Sequence, residues 1–110
     1  MTGGRGRHEE GGPLPTLKAV VNASVGLHAR PAAAFVRAVT DTGLPVTIAK
    51  AGIEKVDARS LLQVMIADFP RGCEVELGID DALLSAPLTR RKAETVLKAL
   101  GDLLEQQGGH

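Results

Sequence analysis

The sequence predicts an α+β domain in which helices cover one face of a largely antiparallel sheet. Three observations lead there. Cys73, Val75, Leu77 and Ile79 alternate with Glu74, Glu76 and Gly78, the period-two pattern of a half-buried strand. Ala93, Val96, Leu97, Leu100, Leu103 and Leu104 recur at helical spacing, opposite Arg91, Glu94, Lys98, Asp102 and Glu105. The segments before them complete the order β-α-β-β-α-β-α, and alternating strands suit a sheet with one face in water.

The first strand is expected over 17–23, where Leu17, Ala19, Val21 and Ala23 hold period two. A Ser-Val-Gly break follows. Residues 29–42 then place Pro31, Ala34, Phe35, Ala38 and Val39 on one helical face, stopping before Gly43. Two β-rich runs, 45–50 and 53–58, are expected to join through Ala51-Gly52 as a tight hairpin. Residues 61–69 (LLQVMIADF) read as a short, mostly buried helix. The strand at 73–79 and the amphipathic helix complete the order.

Length and composition bound the rest. A chain of 110 residues holds one domain. Residues 1–16 carry five glycines with Pro13 and Pro15 and little that is apolar, so they read as a flexible tail. The domain is expected over 17–106, with 107–110 as a disordered end. Thirteen basic and thirteen acidic side chains cancel, which removes the broad basic field that nucleic-acid binding uses. Two phenylalanines, with no tyrosine or tryptophan, offer no row of rings for base stacking. The single cysteine, Cys73, cannot form an internal disulfide and fits a reducing cytosol. No apolar stretch reads as a signal peptide or a membrane span.

One histidine is placed for chemistry. His8 lies in the tail and His110 is the last residue, whereas His28 sits in Gly26-Leu27-His28-Ala29-Arg30-Pro31, at a strand-to-helix junction. A helix start leaves backbone N–H groups without internal partners and carries a partial positive charge. Two frames are open: His28 caps the helix and Pro31 is third, or Arg30 caps it and Pro31 is first. In both, His28 stands beside free N–H groups with a guanidinium two residues on. Such a place attracts phosphate, and an imidazole there can accept a phosphoryl group as a nucleophile. Gly26 lets the backbone turn tightly and leaves the ring accessible. A plain capping or surface histidine explains the same local pattern. Metal binding lacks a second ligand at suitable spacing, and a hydrolase triad lacks a Ser or Cys elbow.

The run Gly26-Leu27-His28-Ala29-Arg30-Pro31-Ala32 resembles the phosphorylation-site signature of HPr, the histidine-containing phosphocarrier family of the bacterial phosphoenolpyruvate:sugar phosphotransferase system. A second motif, Ala58-Arg59-Ser60-Leu61-Leu62-Gln63-Val64-Met65, resembles the same family, and the likeness extends from about Leu17 to Glu105. The resemblance implies an open-faced β-sandwich of four antiparallel strands and three helices. It implies that His28 takes a phosphoryl group on Nδ1 from phosphorylated enzyme I, and passes it to a sugar-specific enzyme IIA domain. Arg30 would balance the charge, with Gly26, Leu27, Ala29 and Pro31 forming the supporting loop and helix start. No metal or organic cofactor is implied, and a cytoplasmic monomer is expected.

Ser60 matches the family's regulatory serine, a substrate in many bacteria for an ATP-dependent HPr kinase. Ser60-x-x-Gln63 before an apolar run is also a capping box, which alone explains the serine. Leu61, Leu62 and Met65 are implied to belong to a docking patch around the histidine, two of the three partly exposed, although apolar residues at this spacing usually serve a core. The chain departs from the family pattern at Val25, where many members carry a small polar residue, and at Asp68, which replaces a frequent glycine after the second helix. The hairpin region is about one residue longer, and the tail is extra. Two other readings remain: an HPr paralogue of the nitrogen-related phosphotransferase branch, and an interaction module on the same fold that transfers nothing.

Overall fold

The structure, a computed structural model, describes residues 15–79 and 87–107. Seven elements follow in the order β1 (Thr16–Val20), α1 (Ala29–Thr42), β2 (Val46–Lys50), β3 (Val56–Asp57), α2 (Leu61–Ala67), β4 (Glu74–Ile79) and α3 (Pro87–Gln106). The strands form one antiparallel sheet in the order β1-β4-β2-β3. The tail expected at the start lies, up to residue 14, outside the described residues, as do 108–110.

Alternation along β4 decides the two faces. Val75, Leu77 and Ile79 point inward with Ala19, Val46 and Ile48, all buried, while Glu74, Glu76 and Lys18 face water. Helices cover only the inner face, so the sandwich is open, as an α+β fold with one solvated sheet face requires. The two phenylalanines, Phe35 from α1 and Phe69 after α2, are both fully buried, and with Leu27, Leu97 and Leu104 they fill the centre. α3 lies close on β1: a Cβ at Gly101 would come within 2.5 Å of Leu17 Cδ2.

Helix α1 runs as expected, and Gly43 closes it with its N–H on the Thr40 carbonyl. Its inner face is turned slightly from the expected one. Ala32, Phe35 and Val39 are buried, whereas Ala34 is exposed and Pro31 and Ala38 are half-buried. In α3, Ala93, Leu97, Leu100 and Leu104 are buried as their spacing predicts, with Val96 and Leu103 half-buried.

Three expectations are corrected. The first strand ends at Val20 and not at residue 23, although Val21 continues the pairing by exchanging hydrogen bonds with Gly72 and Cys73. The hairpin turns at Ala51-Gly52 as expected, but the strands do not pair right up to that turn. The Ile53 N–H reaches the Lys50 carbonyl at 3.2 Å, and Gly52 has φ +89°, so glycine is the third residue of a four-residue turn. That geometry splays the strands, and pairing resumes only at Val56 opposite Ile48. The second helix stops at Ala67 and is mostly exposed: Val64 is its one buried residue, while Leu61, Leu62 and Ile66 face outward. Asp68 leaves the helix with φ +65°, and Pro70 cannot continue it, so Phe69 is buried by a chain reversal.

Candidate functional site

His28 is the residue immediately before α1, in an extended conformation, so Pro31 takes the third helical position. Of the two frames left open by the sequence, this is the first. It leaves the N–H groups of Ala29 and Arg30 at the helix start. The first intrahelical bond found there is that of Ala32 to the His28 carbonyl, at 3.4 Å, and Pro31 has no N–H to satisfy. The imidazole does not cap the helix. It turns to the loop after α2, where Nε2 lies 2.9 Å from Asp68 Oδ1.

Two backbone features hold these loops together. The Leu27 N–H donates to the Phe69 carbonyl at 2.8 Å. Gly26, at φ +73°, lies so near that a Cβ would come within 2.7 Å of the Phe69 carbonyl oxygen and 2.9 Å of the Pro70 Cα. The Leu27 side chain itself belongs to the core. Ala29 carries φ +52° without being glycine, so the residue after the histidine is strained, at a cost of about 1–2 kcal/mol. Behind the loop, the Lys50 ammonium donates to the Asp68 carbonyl and lies 5.5 Å from the centre of the Phe69 ring.

Both α1 and α3 frame the same end of the molecule. The Asn22 side chain donates to the Glu105 carbonyl at 2.9 Å, and the Gln107 amide donates to the Pro31 carbonyl at 3.0 Å. Arg30 is exposed, and among the described residues none forms an ion pair with it. The arrangement therefore presents a half-exposed imidazole, two helix N–H groups and an exposed guanidinium on one turn of chain. A recess of about 340 Å³ on the open side of the sheet, lined by Lys18, Lys50, Glu74 and Glu76 among others, does not include His28.

Ser60 precedes α2, and its hydroxyl oxygen accepts from the Gln63 N–H at 3.2 Å. The return half of the expected capping box is made elsewhere: Gln63 Oε1 accepts from the Asp57 N–H, while the Ser60 N–H is held by the Asp57 carbonyl. Asp57 also binds the Arg59 guanidinium at 3.0 and 3.1 Å. That hydrogen bond, opposed by partial burial and aided by a backbone bond and Coulomb attraction, holds the Asp57 carboxyl below its ordinary value of 3.8. Of the expected docking residues, Leu61 and Leu62 are exposed and Met65 is half-buried against the core, so all three retain some exposure. Ile66 is 72% exposed, the highest among the large apolar side chains of the described residues, on a helix whose apolar run reads as mostly buried. Asp68 was visible in the sequence only as a departure from a glycine.

An open-faced α+β sandwich whose first helix is opened by an accessible histidine is the class of protein described so far. The family model "PTS HPr component phosphorylation site" matches residues 16–106. Over 80 residues the chain is 48% identical to the phosphocarrier protein HPr of Streptomyces coelicolor, covering 73% of this chain and 85% of that one. Among solved structures it is similar to HPr-C-His from Thermoanaerobacter tengcongensis, with a TM-score of 0.71 at 28% identity over 88% of this chain and 98% of the other. A phosphocarrier protein HPr from Bacillus anthracis gives a TM-score of 0.69 at 25% identity, covering 84% and 99%. The chain belongs to the HPr family of phosphocarriers.

Proposed function

We propose that this protein is a phosphoryl relay in which His28 accepts a phosphoryl group from phosphorylated enzyme I and passes it to an enzyme IIA domain of a sugar transport system. The observation that carries this reading is the His28 ring: it stands at the start of α1, half-exposed, and caps nothing. In the forward step a ring nitrogen lone pair attacks phosphorus, and the donor's bond to phosphorus breaks with its electron pair leaving on the donor. The N–H groups of Ala29 and Arg30 and the Arg30 guanidinium lie on the turn where the phosphoryl oxygens would sit. The reverse step hands the group to the next protein, so the histidine is regenerated unchanged. No metal or organic cofactor takes part, and the carrier works as a monomer in the cytoplasm.

The exposed face of α2, with Leu61, Leu62 and Ile66 and the edge of Met65, serves as the docking patch for both partners. Ser60 is the regulatory site for an HPr kinase. A phosphate there adds a charge of about −1.5 to −2 beside that patch and repels a phosphorylated partner.

The test uses phosphoenolpyruvate and enzyme I. Wild type gains one acid-labile phosphoryl group by mass, and His28→Ala gains none; an equal gain in His28→Ala, or no gain in wild type, defeats the relay. With HPr kinase and ATP, an acid-stable phosphate that persists in Ser60→Ala removes Ser60 as the regulatory site.

A further inference from the structure

We propose that Asp68 is a positioning residue for His28: its carboxylate takes the Nε2 hydrogen, turns the Nδ1 lone pair outward as the phosphoryl acceptor, and offsets the ring's charge once Nδ1 is phosphorylated. This deepens the phosphoryl-relay reading and rests on it.

The geometry assigns the hydrogen. Nε2 lies 2.9 Å from Asp68 Oδ1, and an ionised carboxylate can only accept, so Nε2 is the donor. A neutral imidazole with its hydrogen on Nε2 has its lone pair on Nδ1. When Nδ1 gives that pair to phosphorus, the donor's bond to phosphorus breaks and its pair stays with the donor. Nε2 keeps its hydrogen, and the ring becomes cationic. Asp68 faces that charge from the side opposite the incoming group. Handing the phosphoryl group on returns the electron pair to Nδ1, with no proton gained or lost at Nε2.

Asp68 is held for this task by backbone. Its residue adopts φ +65°, its carbonyl accepts from the Lys50 ammonium, and the next carbonyl, Phe69, accepts from the Leu27 N–H. The loop bearing the carboxylate and the loop bearing the histidine are therefore tied directly. The side chains are 37% and 63% exposed, so water screens the pair and its effect is modest.

The positive φ supplies a clean test, because glycine adopts it without strain and asparagine tolerates it. In Asp68→Gly the ring 15N signals, measured at alkaline pH, move toward each other as the two tautomers mix; Asp68→Asn, which keeps an acceptor oxygen, retains the wild-type pattern. Phosphorylated wild type is then mixed with an equal amount of either variant and a trace of enzyme I. The phosphoryl group partitions about two- to fivefold in favour of wild type, the range that an exposed ion pair supplies. Ring signals in Asp68→Gly that match wild type would overturn the positioning role, and equal partition with Asp68→Asn would overturn the charge-balancing role. Failure of enzyme I to charge wild type counts against the relay alone, since the ring spectra need no phosphate.

Discussion

At position 26 a single methyl group meets backbone on the facing loop. The added Cβ would press on the Phe69 carbonyl and the Pro70 Cα in a residue already at φ +73°, and neither neighbour is a side chain that can swing away. Gly26→Ala is therefore expected to lower stability by about 2 kcal/mol or more, read from urea denaturation. Gly101→Ala is the control. There the close atom is the end of the Leu17 side chain, and alanine gains helix propensity, so the loss is expected to be smaller than at Gly26. An equal or greater loss at Gly101 refutes this account of the loop packing. Asp57 makes a prediction in pH. Its carboxyl is depressed in the folded protein by Arg59, so its contribution is present above the ordinary value of 3.8 and is lost as pH falls through the folded value. Asp57→Asn should flatten that part of the acid limb of a stability–pH curve and leave the curve's shape near neutrality unaltered.

Helix α2 is where sequence and structure part most clearly. Seven residues are too few to be stable alone, so α2 depends on its start and on Val64. Ser60→Ala removes the acceptor for the Gln63 N–H and should cost about 0.5–2 kcal/mol, seen as a fall in the denaturation midpoint. The outward apolar residues behave differently. Leu62→Ser and Ile66→Ser should change stability by no more than about 0.5 kcal/mol, because 70% and 72% of these residues is already in water. The same changes should weaken transfer from enzyme I; a wild-type rate of transfer in the double variant would remove this face as the docking patch. The apolar run LLQVMIADF reads as buried because apolar residues usually are. A surface kept for other proteins looks the same in a sequence. By contrast α1 was legible to its last residue, since Gly43 marks its end.

For the molecule as a whole, a small domain depends on few large side chains. Phe35 and Phe69 are its only aromatic residues, and both are fully buried. Phe35→Ala should cost about 3–5 kcal/mol, a large part of the roughly 5–15 kcal/mol that holds most domains together. A midpoint within error of wild type would show that the core is not centred there. Phe69 has a second duty, because its carbonyl receives the Leu27 N–H and its ring underlies Lys50. The balance of thirteen acidic and thirteen basic groups means that no general field draws phosphate to the protein. In the proposed relay, anion recognition is therefore local, resting on one helix start and one guanidinium.

By itself the sequence determined the element order, the buried faces of β4 and α3, and the candidate histidine with its arginine and proline. These are short-range patterns: period two, period 3.6, and residues three apart on one turn. Only the tertiary structure decided which residue stands immediately before α1, which face of α2 is bare, and that Asp68 stands behind His28. The last of these joins positions forty residues apart, and a linear pattern carries no signal for a contact that loop closure alone creates.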